Sequence, residues 1–475
     1  MPDPSPADPS QSTAPDTGGP HTGGPDIAGM VPAAPAAPAA PAAPAAPAAP
    51  DGAGTAPTAQ AMVPVKRRRR FLLYLAAAGP GLIAAAAGND AGGVATYSSA
   101  GSEFGYRTLF LMVLIAIAYV VVQEMVARLS VFTGKGLAAL IREQFPLRMT
   151  AFAVTAFAIA NLGLVVTEFA GIATAFSLFG VSRYLCVPIA AVAIWALVLF
   201  GSYRYAERIF ILMTLVFVTY PVAAVLGHPD WSKVVSQALW PHFIISRAFL
   251  LLGVALIGTT VTPYIQLYEA GAVVDKGIGP EEFKFERVDA IGGALLASFV
   301  SISIIVATAA VLGGTGPLNS AAQAAHALEP VAGSAAEWLF GLGLLGASAL
   351  AAAVVPLSTS YAVAEAVGAE RSVSSSFRQA PLFLGLFTAQ IVIGASVVLV
   401  PGNLIHLIVN TQVLEGVITP ITLIFILVLA NRRSLLGDAA NGRVARWVGG
   451  VAVLAVAAVA SVFVVLTVLG WFGIG

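Results

Sequence analysis

Asp90 lies in the run Ala87-Gly88-Asn89-Asp90-Ala91-Gly92-Gly93, inside an apolar stretch that begins at Phe71 after a Gly79-Pro80-Gly81 entry. A carboxylate among glycines in such a stretch must find compensation, either a cation or dense hydrogen bonding. A second interruption reads Gly258-Thr259-Thr260-Val261-Thr262-Pro263-Tyr264. Proline has no backbone N–H and clashes with the preceding turn, and glycine weakens a helix entropically. Unwound backbone at membrane depth survives only where it is buried in protein or lines a wet cavity, and its freed carbonyls can then serve as ligands. Two interruptions at corresponding positions, one holding a carboxylate, therefore point to ion-transport chemistry. The plainer alternative is a pair of proline kinks with packed glycines.

Other polar groups inside apolar stretches divide the same way. Glu124 and Arg128 are four residues apart, on one helix face, and can satisfy each other. Glu168 has no local partner, so it either borders an ion path or is compensated from elsewhere. Glu269 follows the second break by about two turns and could line an inner vestibule. Gln412 and Glu415 share a face three residues apart, within reach of the centre or of a structural network. Asn89 and Tyr264 flank the two breaks and are pathway candidates. Glu337 reads as interfacial, and His326 and His406, each alone, read as non-ligands. Cys186 is the sole cysteine. One cysteine excludes an internal disulfide or a cysteine-built metal cage and suits a small buried hydrophobe.

The elements that must position these groups are membrane helices. Hydrophobic residues make up 58% of the chain, charged residues 10%, and mean hydropathy is +0.87, whereas soluble domains carry about 25% charged residues. A spanning helix needs ~20 apolar residues, and eleven spans fit, at 71–100, 108–133, 148–180, 184–202, 205–226, 246–274, 288–313, 335–368, 381–400, 404–431 and 447–472. The first and sixth are the interrupted ones. Lys66-Arg67-Arg68-Arg69-Arg70 abuts the first span and holds the N-terminus in the cytoplasm. The same register gathers Lys135, Arg142, Arg148, Arg204, Arg208, Lys276, Lys284, Arg287, Arg371, Arg378, Arg432, Arg433, Arg443 and Arg446 on the cytoplasmic side. Only Arg107, Arg183, Lys233 and Arg247 remain outside. The odd span count then puts the C-terminus outside, in a multi-pass protein of the plasma membrane. Residues 1–70 are Pro/Ala-rich, with Ala-Ala-Pro repeats from Ala33 to Pro50, and read as a disordered cytoplasmic tail that is not a secretory signal. Residues 71–475 form the membrane domain. A net charge of zero gives no reason for a nucleic-acid partner, and the lipid bilayer and a transported ion are the partners expected. A monomer suffices.

These motifs resemble the Nramp divalent-metal transporters over nearly the whole membrane part. The resemblance rests on Gly79-Pro80-Gly81, Asp90-Ala91-Gly92-Gly93, Ala100-Gly101, Phe104-Gly105-Tyr106, Thr133-Gly134-Lys135, Gly258 to Tyr264, and Thr411-Gln412-Val413. It implies an all-α membrane fold of the LeuT type, with two five-helix inverted repeats, broken helices 1 and 6, and one further helix. Where transition-metal members hold the metal with an aspartate, an asparagine and a methionine, this chain has Asp90, Gly93 and Thr262. Loss of the soft sulfur favours hard oxygen ligands and magnesium, and the pattern looks like the Nramp-related magnesium branch. In proton-driven members an aspartate, a histidine and ninth-helix arginines form a relay. Here those positions are Val165, Tyr264 and a span without arginine, while Glu168 is kept.

The reading that follows is a secondary carrier for divalent cations, with hydrated Mg2+ favoured and Mn2+ also passing, not proton-coupled and using alternating access. Asp90 would be the charged ligand. Carbonyls near Ala87 and Thr259, with Thr262 and Gln412, would supply neutral oxygens, and Gly93 would leave space. One alternative is a proton-coupled Mn2+/Fe2+ carrier, and another is an amino-acid carrier of the same fold, against which Asp90 would act by repelling a substrate carboxylate. An enzyme is not expected, because no Ser/His/Asp set, phosphate loop or His-Glu-x-x-His motif is present, and no cofactor is expected.

Overall fold

The computed structural model describes residues 88–200, 215–241, 244, 246–369 and 377–471. The tail, the Gly79-Pro80-Gly81 entry and Ala87 lie outside them. All regular structure among the described residues is helical. Its α-helices of five or more residues are α1 (Ala91–Phe104), α2 (Leu109–Thr133), α3 (Leu137–Gln144), α4 (Leu147–Leu178), α5 (Arg183–Phe200), α6 (Thr219–Leu226) and α7 (Trp231–Leu239). They continue with α8 (Arg247–Thr260), α9 (Pro263–Asp275), α10 (Phe283–Leu312), α11 (Ala321–Ala325), α12 (Ala336–Val367), α13 (Pro381–Val398), α14 (Leu404–Ala430) and α15 (Arg443–Trp471).

Nine stretches of the described residues are long and apolar enough to cross a membrane. One of them, Ala91–Thr133, contains the last third of the first expected span and all of the second. Of the fifth, only Val216–Leu226 belongs to a described apolar helix. The expected fold class is the one observed, an all-α membrane bundle; the sixth expected span is broken between α8 and α9, while of the first only α1 and the turn at Gly88 to Asp90 belong to the described residues. Helix α10 begins about one turn before its expected span, because hydropathy marks where side chains become apolar, whereas the helix itself continues through the polar start Lys284 to Arg287. The amphipathic α3 and α7 connect spans and carry no hydropathy signal of their own.

Local chemistry sets the boundaries. Helix α2 ends at Gly134 (φ 63°) and α12 at Gly368 (φ 73°), left-handed positions that cost glycine nothing. Pro263 opens α9 at its first position, where its missing N–H costs no hydrogen bond. The core forms around α4, which packs on α12 and α14, while α8 packs on α14 and α1 on α10. The α8–α14 crossing is closest at two glycines. A Cβ on Gly258 would lie 2.1 Å from the Gln412 carbonyl oxygen, and one on Gly416 would lie 2.0 Å from that of Val254. Helix α15 is peripheral and α8–α9 the most enclosed.

Candidate metal-transport site

The chain enters α1 through a turn at Gly88 to Asp90. Asp90 is 2% exposed and caps the helix, its Oδ1 accepting from the Gly93 N–H at 2.8 Å. Helix α8 ends at Thr260, Val261 leaves helical geometry, Thr262 is extended (φ −65°, ψ 140°), and α9 begins at Pro263. The Thr259 carbonyl would ordinarily accept from residue 263, which has no N–H, so the break releases that oxygen by covalent structure alone. The carbonyl end of α8 also carries the negative end of its dipole toward the break, which favours a cation there.

The two breaks meet. The Tyr97 hydroxyl hydrogen-bonds the Thr260 hydroxyl at 2.9 Å. A Cβ on Gly93 would stand 3.1 Å from the Tyr97 ring, 3.3 Å from the Gly88 carbonyl oxygen and 3.4 Å from the Thr259 hydroxyl. The room left by Gly93 is therefore narrow and lined by two oxygens. From α14, Gln412 reaches over Gly92, where a Cβ would be 2.3 Å from its Nε2. That amide donates to Thr167 Oγ1 at 3.3 Å, and Thr167 in turn bonds Thr411. Glu415, one turn further along α14, accepts from Thr262 Oγ1 at 3.1 Å.

Three carboxylates lie within electrostatic reach of one another: Asp90, Glu168 and Glu415. Both oxygens of Glu168, Oε2 of Glu415, Oε1 of Gln412 and the Thr259 hydroxyl are buried with no hydrogen-bond partner among the described residues. The Ala91 N–H faces Glu168 from the start of α1 but falls short of hydrogen-bonding geometry. Like charges without partners in a low-dielectric interior repel strongly. An arrangement of this kind is stable only with protons or a cation among the carboxylates. No cluster of three or more His, Cys, Asp or Glu side chains with metal-holding geometry occurs among the described residues, so a cation here would also need carbonyl, hydroxyl, amide or water oxygens.

Of the residues expected at the site, Asp90, Gly93, Thr259, Thr262 and Gln412 are brought together, and Ala87 lies outside the described residues. Among the pathway candidates, Asn89 is buried beside Asp90. Tyr264 is fully buried within electrostatic reach of Asp90, Glu168 and Glu415. Glu168 and Glu415 border the break. Glu269 does not: it is buried on α9 and faces Glu286, Asp289 and Tyr119. Tyr97 and Thr167 are polar members that sequence reasoning did not single out, and Thr411 entered it only as part of the Thr411-Gln412-Val413 motif. Tyr97 lies two turns from Asp90 on α1, and Thr167 and Thr411 adjoin Glu168 and Gln412, so neighbourhood was the available signal. Glu124 and Arg128 pair as expected at 3.0 Å, and His326 pairs with Glu329.

Residues 81–466 match the family profile described as Nramp, natural resistance-associated macrophage protein-like. The chain is 30% identical to the divalent metal cation transporter MntH of Aeromonas hydrophila, covering 84% of this chain and 96% of that one. MntH 1 of Pseudomonas aeruginosa is 29% identical over 81% of this chain and 88% of its own length. Among solved structures, a manganese transporter of Eremococcus coleocola superposes with a TM-score of 0.66 at 19% identity, covering 86% of this chain and 90% of that one. MhsT in complex with L-phenylalanine superposes at 0.51 with 14% identity, covering 80% of this chain and 98% of that one. These superpositions establish a shared architecture.

Proposed function

The chain belongs to the Nramp family, and we propose that it carries divalent metal cations across the membrane through the meeting point of α1 and the α8–α9 break. The observation that carries this reading is the convergence of Asp90, Glu168 and Glu415, with oxygens unpartnered among the described residues, on the first turn of α1 and the α8–α9 break. The cation is cargo. Asp90 would bind it, the Thr259 carbonyl, Thr262 hydroxyl and Gln412 amide oxygen would complete the shell with retained water, and rocking of the broken helices would expose the site alternately to each side.

For the identity of the ion, kinship with divalent metal cation transporters and the shared architecture with a manganese transporter support Mn2+ or a similar transition metal. Glu168 and Glu415 beside Asp90 also give the site buried groups able to hold protons, which supports proton coupling. A second reading, uncoupled transport of Mg2+, is supported by the donor set, since Thr262 and Gly93 leave only hard oxygen ligands. Isothermal titration of Mn2+ and Mg2+ into the purified chain, beside Asp90→Asn and Thr262→Met, tests both. Asp90→Asn should lose binding of each ion, and Thr262→Met should shift preference toward Mn2+. If Asp90→Asn binds both ions unchanged, the site assignment is wrong. Metal-dependent acidification inside proteoliposomes separates the coupled reading from the uncoupled one.

A further inference from the structure

Away from the proposed transport site, α2, α10 and α15 line a cavity of about 370 Å3. Its floor is charged and its walls are apolar. Glu124 Oε2 pairs with Arg128 at 3.0 Å, and Glu124 Oε1 with Arg287 Nε at 3.2 Å. Arg128 is anchored further by the Ala439 carbonyl at 2.9 Å and by Asn441 Oδ1. Two guanidiniums thus share one carboxylate, leaving one positive charge in excess. The Arg128 Nε is buried with no acceptor among the described residues. The Arg287 side chain is 56% exposed and pairs with Glu124 through Nε, which leaves its terminal amino groups without a partner among the described residues.

The walls are Val120, Val121, Ile291, Val444 and Val448. The arginines lie near the end of α2 and the start of α10, at the same end of the bundle as the start of α15. That rim also carries Lys284, Arg443 and Arg446, with Phe285 and Trp447 exposed. Exposed aromatic rings beside basic side chains mark the headgroup level of a bilayer. Basic pockets between membrane helices suit anionic headgroups, and an arginine fork suits phosphate oxygens.

We propose that this cavity binds one anionic phospholipid, with its phosphate on the Arg128–Arg287 pair and an acyl chain along Val121, Ile291 and Val448. The lipid tethers the peripheral α15 to α2 and α10. Glu124 holds the Arg287 fork in place, and the excess charge selects an anionic headgroup over a zwitterionic one. The site is independent of what the transport pathway carries.

The test uses the full chain in neutral detergent, titrated separately with phosphatidylglycerol, with phosphatidylcholine of the same acyl chains, and with glycerol phosphate. Native mass spectrometry counts bound lipid and thermal unfolding reads stabilisation. One phosphatidylglycerol should be retained in preference to phosphatidylcholine, with a raised unfolding midpoint. Arg287→Ala should weaken phosphatidylglycerol binding by roughly ten- to a hundredfold, as expected for loss of charge-assisted hydrogen bonds, and leave phosphatidylcholine unchanged. Val444→Trp, which fills the groove and keeps every charge, should weaken it too, while Lys135→Ala should not. An undiminished phosphatidylglycerol preference in Arg287→Ala overturns the proposal. So does equal stabilisation by glycerol phosphate alone, which would identify a soluble anion as the occupant.

Discussion

Gly416→Ala is the sharpest test of how the proposed transport site is held. A Cβ at Gly416 would stand 2.0 Å from the Val254 carbonyl oxygen and 2.8 Å from its carbon. Ordinary contact begins near 3.4 Å, so α8 and α14 must part by about 1.4 Å along that direction. The obstacle is backbone inside a helix, and no rotamer change relieves it. Overpacking of well-packed interiors costs about 1–3 kcal/mol, and a backbone clash belongs at the upper end, about 3 kcal/mol. The same displacement moves Glu415 and Gln412 away from Thr262 and Gly92, so uptake into proteoliposomes should fall in protein that is still folded. The control is Gly292→Ala on the outer face of α10, where a Cβ meets nothing within 4 Å. There the change should stabilise by roughly 0.5–1 kcal/mol, through the backbone entropy that glycine loses on folding. Denaturant titration in micelles reads both variants. A Gly416→Ala protein as stable as the parent, with unaltered uptake, refutes the close crossing of α8 and α14.

Three further changes have definite signs. Glu415→Gln keeps a partner for Thr262 while removing one of three mutually repelling carboxylates, so cation affinity should fall while the metal-free protein becomes more stable; calorimetry and unfolding midpoints read the two effects. Tyr97→Phe deletes the hydroxyl bridge to Thr260 and should cost about 1 kcal/mol, with a smaller loss of uptake than Asp90→Asn. Glu124→Gln leaves Arg128 and Arg287 adjacent without a carboxylate and should cost about 2 kcal/mol, discounted for the exposure of Arg287, in an unfolding assay at low salt.

Much of this protein is legible in its residues taken one stretch at a time. Apolar length marks the spans because a bilayer accepts backbone only with its hydrogen bonds closed within the helix. Pro263 declares the α8–α9 break and the freed Thr259 carbonyl, since a missing N–H is covalent fact. Asp90 marks a candidate site because a lone carboxylate in such a stretch demands compensation. Family membership also follows from local motifs, Gly258 to Tyr264 and Thr411-Gln412-Val413 among them.

What pairs across the bundle was decided by tertiary packing alone. Glu269 and Glu415 look alike in sequence, each a carboxylate about two turns or less from a polar motif. The α8–α14 crossing at Gly258 and Gly416 brings Glu415 onto Thr262 and Asp90, while the direction of α9 carries Glu269 toward Glu286 and Asp289. Arg287 likewise reads as a loop-flanking positive charge until α10 brings it beside Glu124, more than 150 residues away in sequence. Helical periodicity assigns a side chain to a face of its own helix. Which helix that face meets depends on how the small residues let the backbones approach, and that information is spread over the whole chain.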